Sequence, residues 1–312
     1  MRLVFVMDPI ERVDRKKDTT VGFLESAAAR GHVCEHALIH EIGYDAELGA
    51  VAQLRSLDIG ADAIAYIGPR ETVALSKVDA VFIRTDPPFD APYHHATLLL
   101  EKLRGQTLVV NDPRGLREAN EKLYALHFER HCPKMVVTND RSRIHAFVEE
   151  VGGRAVIKPI DGAGGHGVMK VVSGEANARA IVDMLTDEGK CLAIVQAYLP
   201  EVTEGDKRVL LLDGEPLGAI LRVPQAGDLR ANIHVGGRCE PTELTQKERA
   251  IVADMAPRLR QDGLYFVGLD FIGERLTEVN VTSPTGIREL SEFTGKRESD
   301  RVIEWVEAKV AS

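Results

Sequence analysis

The chain has 312 residues, of which 44% are hydrophobic and 28% charged, and its formal net charge is −9. This length predicts two or three compact units with a substantial buried core. The acidic balance argues against a nucleic-acid binder, which needs a basic face, but it does not exclude a nucleotide held by a few cationic side chains.

The first third of the chain alternates predicted strands with predicted helices. Strands are expected over 3–7, 33–37, 80–84 and 108–111, and helices over 20–30, over 92–104 and from Pro113 onward. Such alternation predicts a parallel sheet that binds ligands at the carboxyl ends of its strands, where Arg84 and Asp86 follow one strand. Residues 41–75 give no defensible element boundaries.

Near Asn120 the pattern changes to α+β, in two further units divided near Pro200. The first has a helical run over 122–127, strands over 135–138 and 192–197, and helices over 141–151 and 176–187. The second has hairpins over 207–223 and 266–280, a helix over 246–262 and two closing helices. The turn Asp213-Gly214-Glu215 is typical of a hairpin.

A glycine-rich loop lies between two predicted strands of the segment 155–172. It holds four glycines in six positions: Gly162, Gly164, Gly165 and Gly167. Glycines packed this densely let backbone N–H groups approach a phosphate, and Lys158 adds a point charge. A dinucleotide fingerprint should open a helix, and a Walker A loop should end in Gly-Lys-Ser/Thr. Neither feature follows, and a flexible hairpin remains the plain alternative for this loop alone.

Oxygen ligands cluster on the last predicted hairpin. Glu278 and Asn280 share one face of a strand by period-2 alternation, and Asp270 lies on the adjacent strand. Such a set suits Mg²⁺, although a solvated sheet face has the same pattern. The stretch from Gln196 to Leu199 ends a strand and suits an adenine clamp or a domain hinge.

The order of these motifs resembles the ATP-grasp fold and, within it, the bacterial glutathione synthetases. The matching stretches are 6–10, 16–18, 84–90, 120–123, 205–210, 236–238, 266–270 and 277–289. The chain departs from the family over 41–75, at Gly286 in place of a more usual cysteine, and after Arg288.

The resemblance implies an α/β fold with a Rossmann-like N-terminal domain (1–120) and two ATP-grasp subdomains (121–200 and 201–312) that enclose ATP. It implies ATP-dependent ligation of γ-glutamylcysteine and glycine through an acyl phosphate. Mg²⁺, replaceable by Mn²⁺, would be held by Asp270, Glu278 and Asn280. Arg222 and Lys158 would be catalytic. ATP would contact Lys122, Lys158, Gly162, Gly164, Gly165, Gly167, Gln196, Tyr198, Leu199, Asp206 and Arg208.

The same resemblance implies a dipeptide and glycine site formed by Asp18, Arg84, Arg230, Asn232, Ser283 and Arg288. The resemblance also implies a homo-oligomer, specifically a tetramer. Because no C-x-x-C pair, signal peptide or long apolar stretch occurs, we expect a cytoplasmic protein with reduced cysteines and no membrane partner, and the acidic balance predicts no nucleic-acid partner. The loop 224–237 is expected to close as a lid over the substrates. Another ATP-grasp ligase, acting on D-alanines or a protein tail, and a non-catalytic nucleotide-binding regulator remain alternatives.

Overall fold

A computed structural model describes residues 1–224 and 238–312 of the chain. The N-terminal part forms a seven-stranded sheet with the order β3-β4-β2-β1-β6-β7, to which β5 is added beside β4. Its strands are β1 (Arg2–Val6), β2 (Val33–Ala37), β3 (Ile42–Asp45), β4 (Gly49–Ile59), β5 (Ile64–Ala74), β6 (Ala80–Ile83) and β7 (Leu108–Val110). Strands β2, β1, β6 and β7 pair in parallel, as the sequence predicts.

Three helices accompany this sheet: α1 (Thr19–Ala29), α2 (Ala91–Leu100) and α3 (Pro113–Glu118). The carboxylate of Asp18 accepts from the Val21 amide at 2.9 Å, which gives α1 a side-chain N-cap. The segment without a prediction, 41–75, holds the antiparallel strands β3, β4 and β5. Hairpin β4–β5 is therefore an antiparallel extension of an otherwise parallel sheet.

The middle part forms a four-stranded antiparallel sheet with the order β10-β9-β11-β8. Its elements are β8 (Met135–Thr138), α4 (Arg141–Glu150), β9 (Arg154–Pro159), β10 (Met169–Val172), α5 (Ala178–Leu185) and β11 (Ala193–Ala197). The glycine-rich loop joins β9 to β10, which confirms the hairpin context. The helical run predicted over 122–127 is instead a 3-10 helix, Tyr124–His131, whose backbone is non-helical at Phe128.

The last part forms a five-stranded antiparallel sheet with the order β14-β13-β12-β15-β16. Its elements are β12 (Asp206–Leu212), β13 (Glu215–Val223), β14 (Arg238–Thr242), α6 (Gln246–Gln261), β15 (Phe266–Ile272), β16 (Arg275–Asn280), α7 (Ile287–Thr294) and α8 (Glu298–Val310). Both predicted hairpins and both closing helices are confirmed. Thr245 and Glu248 form a reciprocal capping box at the start of α6.

One apolar core contains residues from both ends of the chain, from the first strand, β1, to the last helix, α8. Phe23 on α1 packs edge-on against Phe266 on β15, with ring centroids 5.1 Å apart. Ser26 of α1 and Ser299 of α8 share a buried hydrogen bond of 2.7 Å. The domain boundaries at 120 and 200 fall between the sheets and stay predictions. Within the described ranges no helix has the length and apolar character needed to cross a bilayer.

Candidate active site

A first cleft lies between the four-stranded and five-stranded sheets. Its empty volume of about 990 Å³, including open solvent at the mouth, is at the top of the range of ~300–1,000 Å³ for ligand sites. Most residues predicted to contact ATP line it: Lys122, Lys158, Gly162, Gly164, Gly165, Gln196, Tyr198, Leu199 and Asp206, together with Asp270 and Glu278. The other two predicted ATP contacts, Gly167 and Arg208, and the predicted catalytic Arg222 are not part of this lining. Arg208 and Arg222 are buried, and Gly167 is exposed at the end of the glycine-rich loop.

The glycine-rich loop needs glycine at particular positions. Gly164, Gly165 and Gly167 have φ values of +61°, +80° and +71°, in the left-handed region that favours glycine. A Cβ atom would lie 2.7 Å from Pro159 Cγ at Gly162 and 2.9 Å from it at Gly167. The loop therefore folds closely over the end of β9, with its backbone exposed to the first cleft.

Two lysines, Lys122 and Lys158, line the first cleft near Glu278. The Nζ of Lys122 contacts the carbonyl oxygen of Gly162 and lies 3.3 Å from Glu278 Oε1. Burial lowers the pKa of Lys158, and the negative charge of Glu278 opposes that shift. Two cations that face a single partly exposed carboxylate form an anion site suited to phosphate groups.

A buried network of charges lies on the sheet beneath this anion site. Asp270 accepts from Arg208 Nε at 2.5 Å and Nη2 at 2.8 Å, while Arg222 Nη2 lies 3.0 Å from Asp270 Oδ2. The same Arg222 nitrogen donates to Asp206 Oδ2 at 2.6 Å. Two guanidinium groups thus neutralise two carboxylates on adjacent strands, because Arg208 pairs in register with Asp270 and Asp206 with Arg222.

This network fixes the charge state of its members. Burial opposes ionisation of Asp270, but the two arginines outweigh it and hold the pKa of that carboxyl well below its usual range. Burial raises the pKa of Asp206, and Arg222 opposes that shift. Asp206 Oδ1, Arg222 Nε and Gln196 Nε2 are buried without a hydrogen-bond partner in the described structure. Asp206 and Gln196 line the first cleft, so Asp206 Oδ1 and Gln196 Nε2 remain available to form hydrogen bonds with a ligand.

The three predicted metal ligands lie on the adjacent strands β15 and β16. Glu278 and Asp270 are direct cross-strand neighbours, and Val279 and Val281 are fully buried on the opposite face, as alternation predicts. Asn280 donates Nδ2 to Asp270 Oδ2 at 3.2 Å, so its amide would have to rotate for Oδ1 to face a cation. Two carboxylates and an amide oxygen fit a hard divalent cation. Among residues 1–224 and 238–312, no group of three His, Cys, Asp or Glu residues forms a separate candidate.

A second cleft, of about 1,010 Å³, lies at the carboxyl ends of β1 and β6. Arg84 is buried beside the packed rings of Phe23 and Phe266, with its guanidinium 5.5 and 5.4 Å from their centres, and donates to the Pro284 carbonyl at 2.9 Å. Burial lowers the pKa of Arg84 and raises that of Asp86. The lining consists of Met7, Asp8, Arg12, Val13, Asp14, Lys17, Asp18, Arg84, Asp86, Thr285 and Glu289.

The structure brings some predicted substrate residues together and separates another. Asp18 and Arg84 share the second cleft, and Ser283 is near enough to Asp86 to oppose the rise that burial causes in the pKa of that carboxyl. Arg288 instead donates to Glu25 Oε2 at 2.7 Å and to the Arg15 carbonyl at 2.8 Å, away from the lining of both clefts. Arg230 and Asn232, and the predicted lid over 224–237, lie outside the described residues.

Glu121 is a site residue to which the sequence assigned no role. Its Oε1 accepts from the amides of Val281 and Thr282, at 2.9 and 3.1 Å, and from Thr282 Oγ1 at 2.8 Å. Burial raises the pKa of Glu121. The side chain fastens the turn after β16 to the segment that carries Lys122. In the sequence, only the position of Glu121 between Asn120 and Lys122, inside the matching stretch 120–123, indicated a role in the site.

Comparison with known proteins gives consistent results along the whole chain. The model of the prokaryotic glutathione synthetase N-terminal domain matches residues 1–117, and that of the prokaryotic glutathione synthetase ATP-grasp domain matches residues 121–295. A glutathione synthetase of Synechocystis sp. is 41% identical over 98% of this chain and 99% of its own. One of Synechococcus elongatus is 42% identical over 99% of both chains.

Solved structures show the same fold at lower sequence identity. The crystal structure of the D-cycloserine synthetase DcsG has a TM-score of 0.67 and 17% identity, and the match covers 98% of this chain and 100% of that one. The predicted ATP-grasp fold is therefore confirmed.

Proposed function

The chain belongs to the prokaryotic glutathione synthetase family, and from that premise we propose that it joins γ-L-glutamyl-L-cysteine to glycine, with ATP converted to ADP and phosphate. It is an ATP-dependent ligase with an ATP-grasp fold. Use of ATP and of a divalent metal follows from the family, whereas the choice of Mg²⁺, with Mn²⁺ as a substitute, is part of the proposal.

One observation carries the proposal: a single turn connects the two clefts. The segment after β16 contacts Arg84 of the second cleft through the Pro284 carbonyl, at 2.9 Å. It contacts Arg208 of the first cleft's charge network through the Thr285 carbonyl, at 3.4 Å. A carboxylate bound in the second cleft would thus lie along the same turn as the phosphate-binding groups. Such proximity is what transfer of a phosphoryl group to a carboxylate requires.

The proposed chemistry proceeds in two steps. The cysteinyl carboxylate of the dipeptide attacks the γ-phosphorus of ATP, which forms an acyl phosphate and releases ADP. The glycine amine then attacks the acyl carbon and forms the C–N bond. The C–O bond to the phosphoryl group breaks, phosphate leaves with the bonding electron pair, and the amine nitrogen loses one proton. No side chain needs to become covalently modified.

We assign roles to the residues of the first cleft on this basis. Lys122 and Lys158 bind the phosphates beneath the glycine-rich loop, and Gln196, Tyr198 and Leu199 contact the nucleobase end. Arg222 stabilises negative charge on the transferring group through Nε, which has no other hydrogen-bond partner in the described residues. A divalent cation held by Asp270, Glu278 and Asn280 would neutralise the triphosphate.

The test is ADP release with a panel of acids and amines, with the product identified by mass spectrometry. We expect ADP formation only when dipeptide, glycine, ATP and Mg²⁺ are all present, and one tripeptide formed per ADP. Faster turnover of D-alanine or of a protein tail would establish another ATP-grasp ligase, and binding of ATP without turnover would establish a regulator. The proposed homotetramer is checked by light scattering, and the proposed cytoplasmic location by cell fractionation.

A further inference from the structure

A buried histidine lies behind the wall of the second cleft. His36 is on β2, beside Phe5 of β1, and is only 3% exposed. It lines neither cleft and has no role in the proposed chemistry. Its two ring nitrogens nevertheless both have polar partners, and those partners lead directly to residues that do line the second cleft.

The partners determine which nitrogen carries the proton. His36 Nε2 lies 3.3 Å from the carbonyl oxygen of Met7 and 3.2 Å from that of Asp8. Because carbonyl oxygens only accept, Nε2 must be the N–H donor. Nδ1 is then the acceptor, and the hydroxyl of Tyr66 donates to it at 3.1 Å. The geometry therefore selects one neutral tautomer.

The two carbonyl groups belong to the floor of the second cleft. Met7 and Asp8 follow β1 and line that cleft. The Asp8 carboxylate accepts from the amide of Asp86 at 2.9 Å, which joins the loop after β1 to the loop after β6. A side chain that fixes the Met7 and Asp8 peptides also fixes this junction, and with it the position of Asp86.

The Tyr66 hydroxyl comes from the β4–β5 hairpin, which lies in the segment without a prediction. Tyr66 lies on β5, half-buried, and the guanidinium of Arg55 on β4 lies 4.7 Å from the centre of its ring. Burial lowers the pKa of His36, and the two carbonyls and then Glu41 and Glu11 oppose that shift. The imidazole is consequently neutral at neutral pH, which keeps the donor and acceptor pattern in place.

We propose that His36 is a positioning residue for the dipeptide site, which holds the Met7–Asp8 peptides in register while Tyr66 of the β4–β5 hairpin holds the imidazole. The proposal rests on the assignment of the second cleft to the dipeptide. It gives the antiparallel extension of the sheet a function, since the extension supplies the hydroxyl that orients the ring.

The experiment compares His36→Gln, His36→Leu and Tyr66→Phe with wild type. Loss of one hydrogen bond changes an equilibrium by about 2- to 13-fold. We therefore expect KM for the dipeptide to rise about 3- to 10-fold in His36→Leu, while KM for ATP stays within about twofold of wild type. His36→Gln retains a donor near the Nε2 position and should recover part of the loss. Tyr66→Phe should show a smaller rise.

Thr107→Val is the matched control. Its hydroxyl also makes one buried bond to a backbone carbonyl, that of Leu75 at 2.9 Å, but at the opposite end of the same sheet. This variant should lose stability without a change in the dipeptide KM. Unchanged dipeptide KM in the folded His36 and Tyr66 variants, or an equal rise in Thr107→Val, would overturn the proposal.

A second readout separates this inference from the proposed function. Hydrogen exchange of peptides covering residues 7–12 should be faster in His36→Leu than in wild type, whatever the substrate. If wild type does not consume the dipeptide, the proposed function fails, and faster exchange in these peptides still supports the positioning role. Unchanged exchange there contradicts it.

Discussion

Glu278 and Asp270 are proposed to bind the same cation, yet their surroundings predict a smaller loss of folding stability when Glu278 is replaced than when Asp270 is replaced. The Glu278 side chain is 23% exposed, and its ionic contact in the described residues is Lys122 at 3.3 Å. Because Glu278 is partly exposed, its removal leaves the paired lysine less isolated from water than removal of a fully buried partner would, so Glu278→Ala should lower the melting temperature less than Asp270→Ala does. Asp270 accepts from Arg208 and Asn280, forms an ion pair with Arg222, and is 3% exposed. Asp270→Ala leaves two buried guanidinium groups undercompensated, at a cost of ~3–5 kcal/mol.

Activity should fall in both variants. Charge stabilisation at the transferring group makes a loss of ~10²-fold or more in kcat the expected result for Glu278→Ala, equivalent to about 2.7 kcal/mol. The measurements are ADP release across a Mg²⁺ titration and thermal unfolding of the same samples. An active Glu278→Ala enzyme with ordinary Mg²⁺ dependence would refute the metal role. A melting temperature as low as that of Asp270→Ala would refute the electrostatic reasoning.

Three further predictions follow from single contacts. Gly167→Ala and the control Gly174→Ala force similar left-handed backbone, with φ of +71° and +76°, so each should lose ~1–2 kcal/mol from backbone strain. Gly167→Ala should lose more, because its Cβ would lie 2.9 Å from Pro159 Cγ whereas a Cβ at Gly174 has no neighbour within 4 Å, and only Gly167→Ala should raise KM for ATP. Gln196→Met removes a buried donor that has no partner in the described residues, so the variant should unfold at the same urea concentration as wild type or a higher one. Its KM for ATP should rise, and lower stability with an unchanged KM would contradict this prediction. Arg30 and His32 hold the pKa of Glu307 at about 2, below its ordinary 4.5, so the carboxylate contributes stability that is present above pH 4.5 and is lost as the pH falls towards 2. Trp305 fluorescence during acid unfolding should show this loss in wild type and a flatter dependence in Glu307→Gln.

The accuracy of the sequence predictions varied with the kind of interaction that each element depends on. Continuous apolar strands such as β1 and the hairpin β15–β16 were predictable because their burial pattern is local. The β4–β5 hairpin was not, because most of β5 is exposed and its residues therefore carry no regular apolar alternation. The first cleft was predictable because few other kinds of site combine glycines and lysines at the spacing that suits phosphate binding.

The second cleft was harder to predict because it depends on charges that meet across the fold. Nothing local distinguishes Arg84, which is buried beside two packed aromatic rings, from Arg288, which pairs with Glu25 on α1. The pairing of Asp270 with two arginines was equally invisible, since it depends on strand register rather than on sequence spacing. His36 gave no signal at all, because a single histidine in an apolar strand is typical of a satisfied core residue.

The core shared by the two ends of the chain restricts how this enzyme can recombine with its homologues. Phe23 of α1 packs on Phe266, and α8 lies against α1 through Ser26 and Ser299. A chimera that changes parent near residue 120 takes every motif of the first cleft from one parent. It takes the two sides of each of these contacts from different parents. Chimeras built there should fold only when both halves come from closely similar parents, so the first 120 residues and the last 50 should be inherited together.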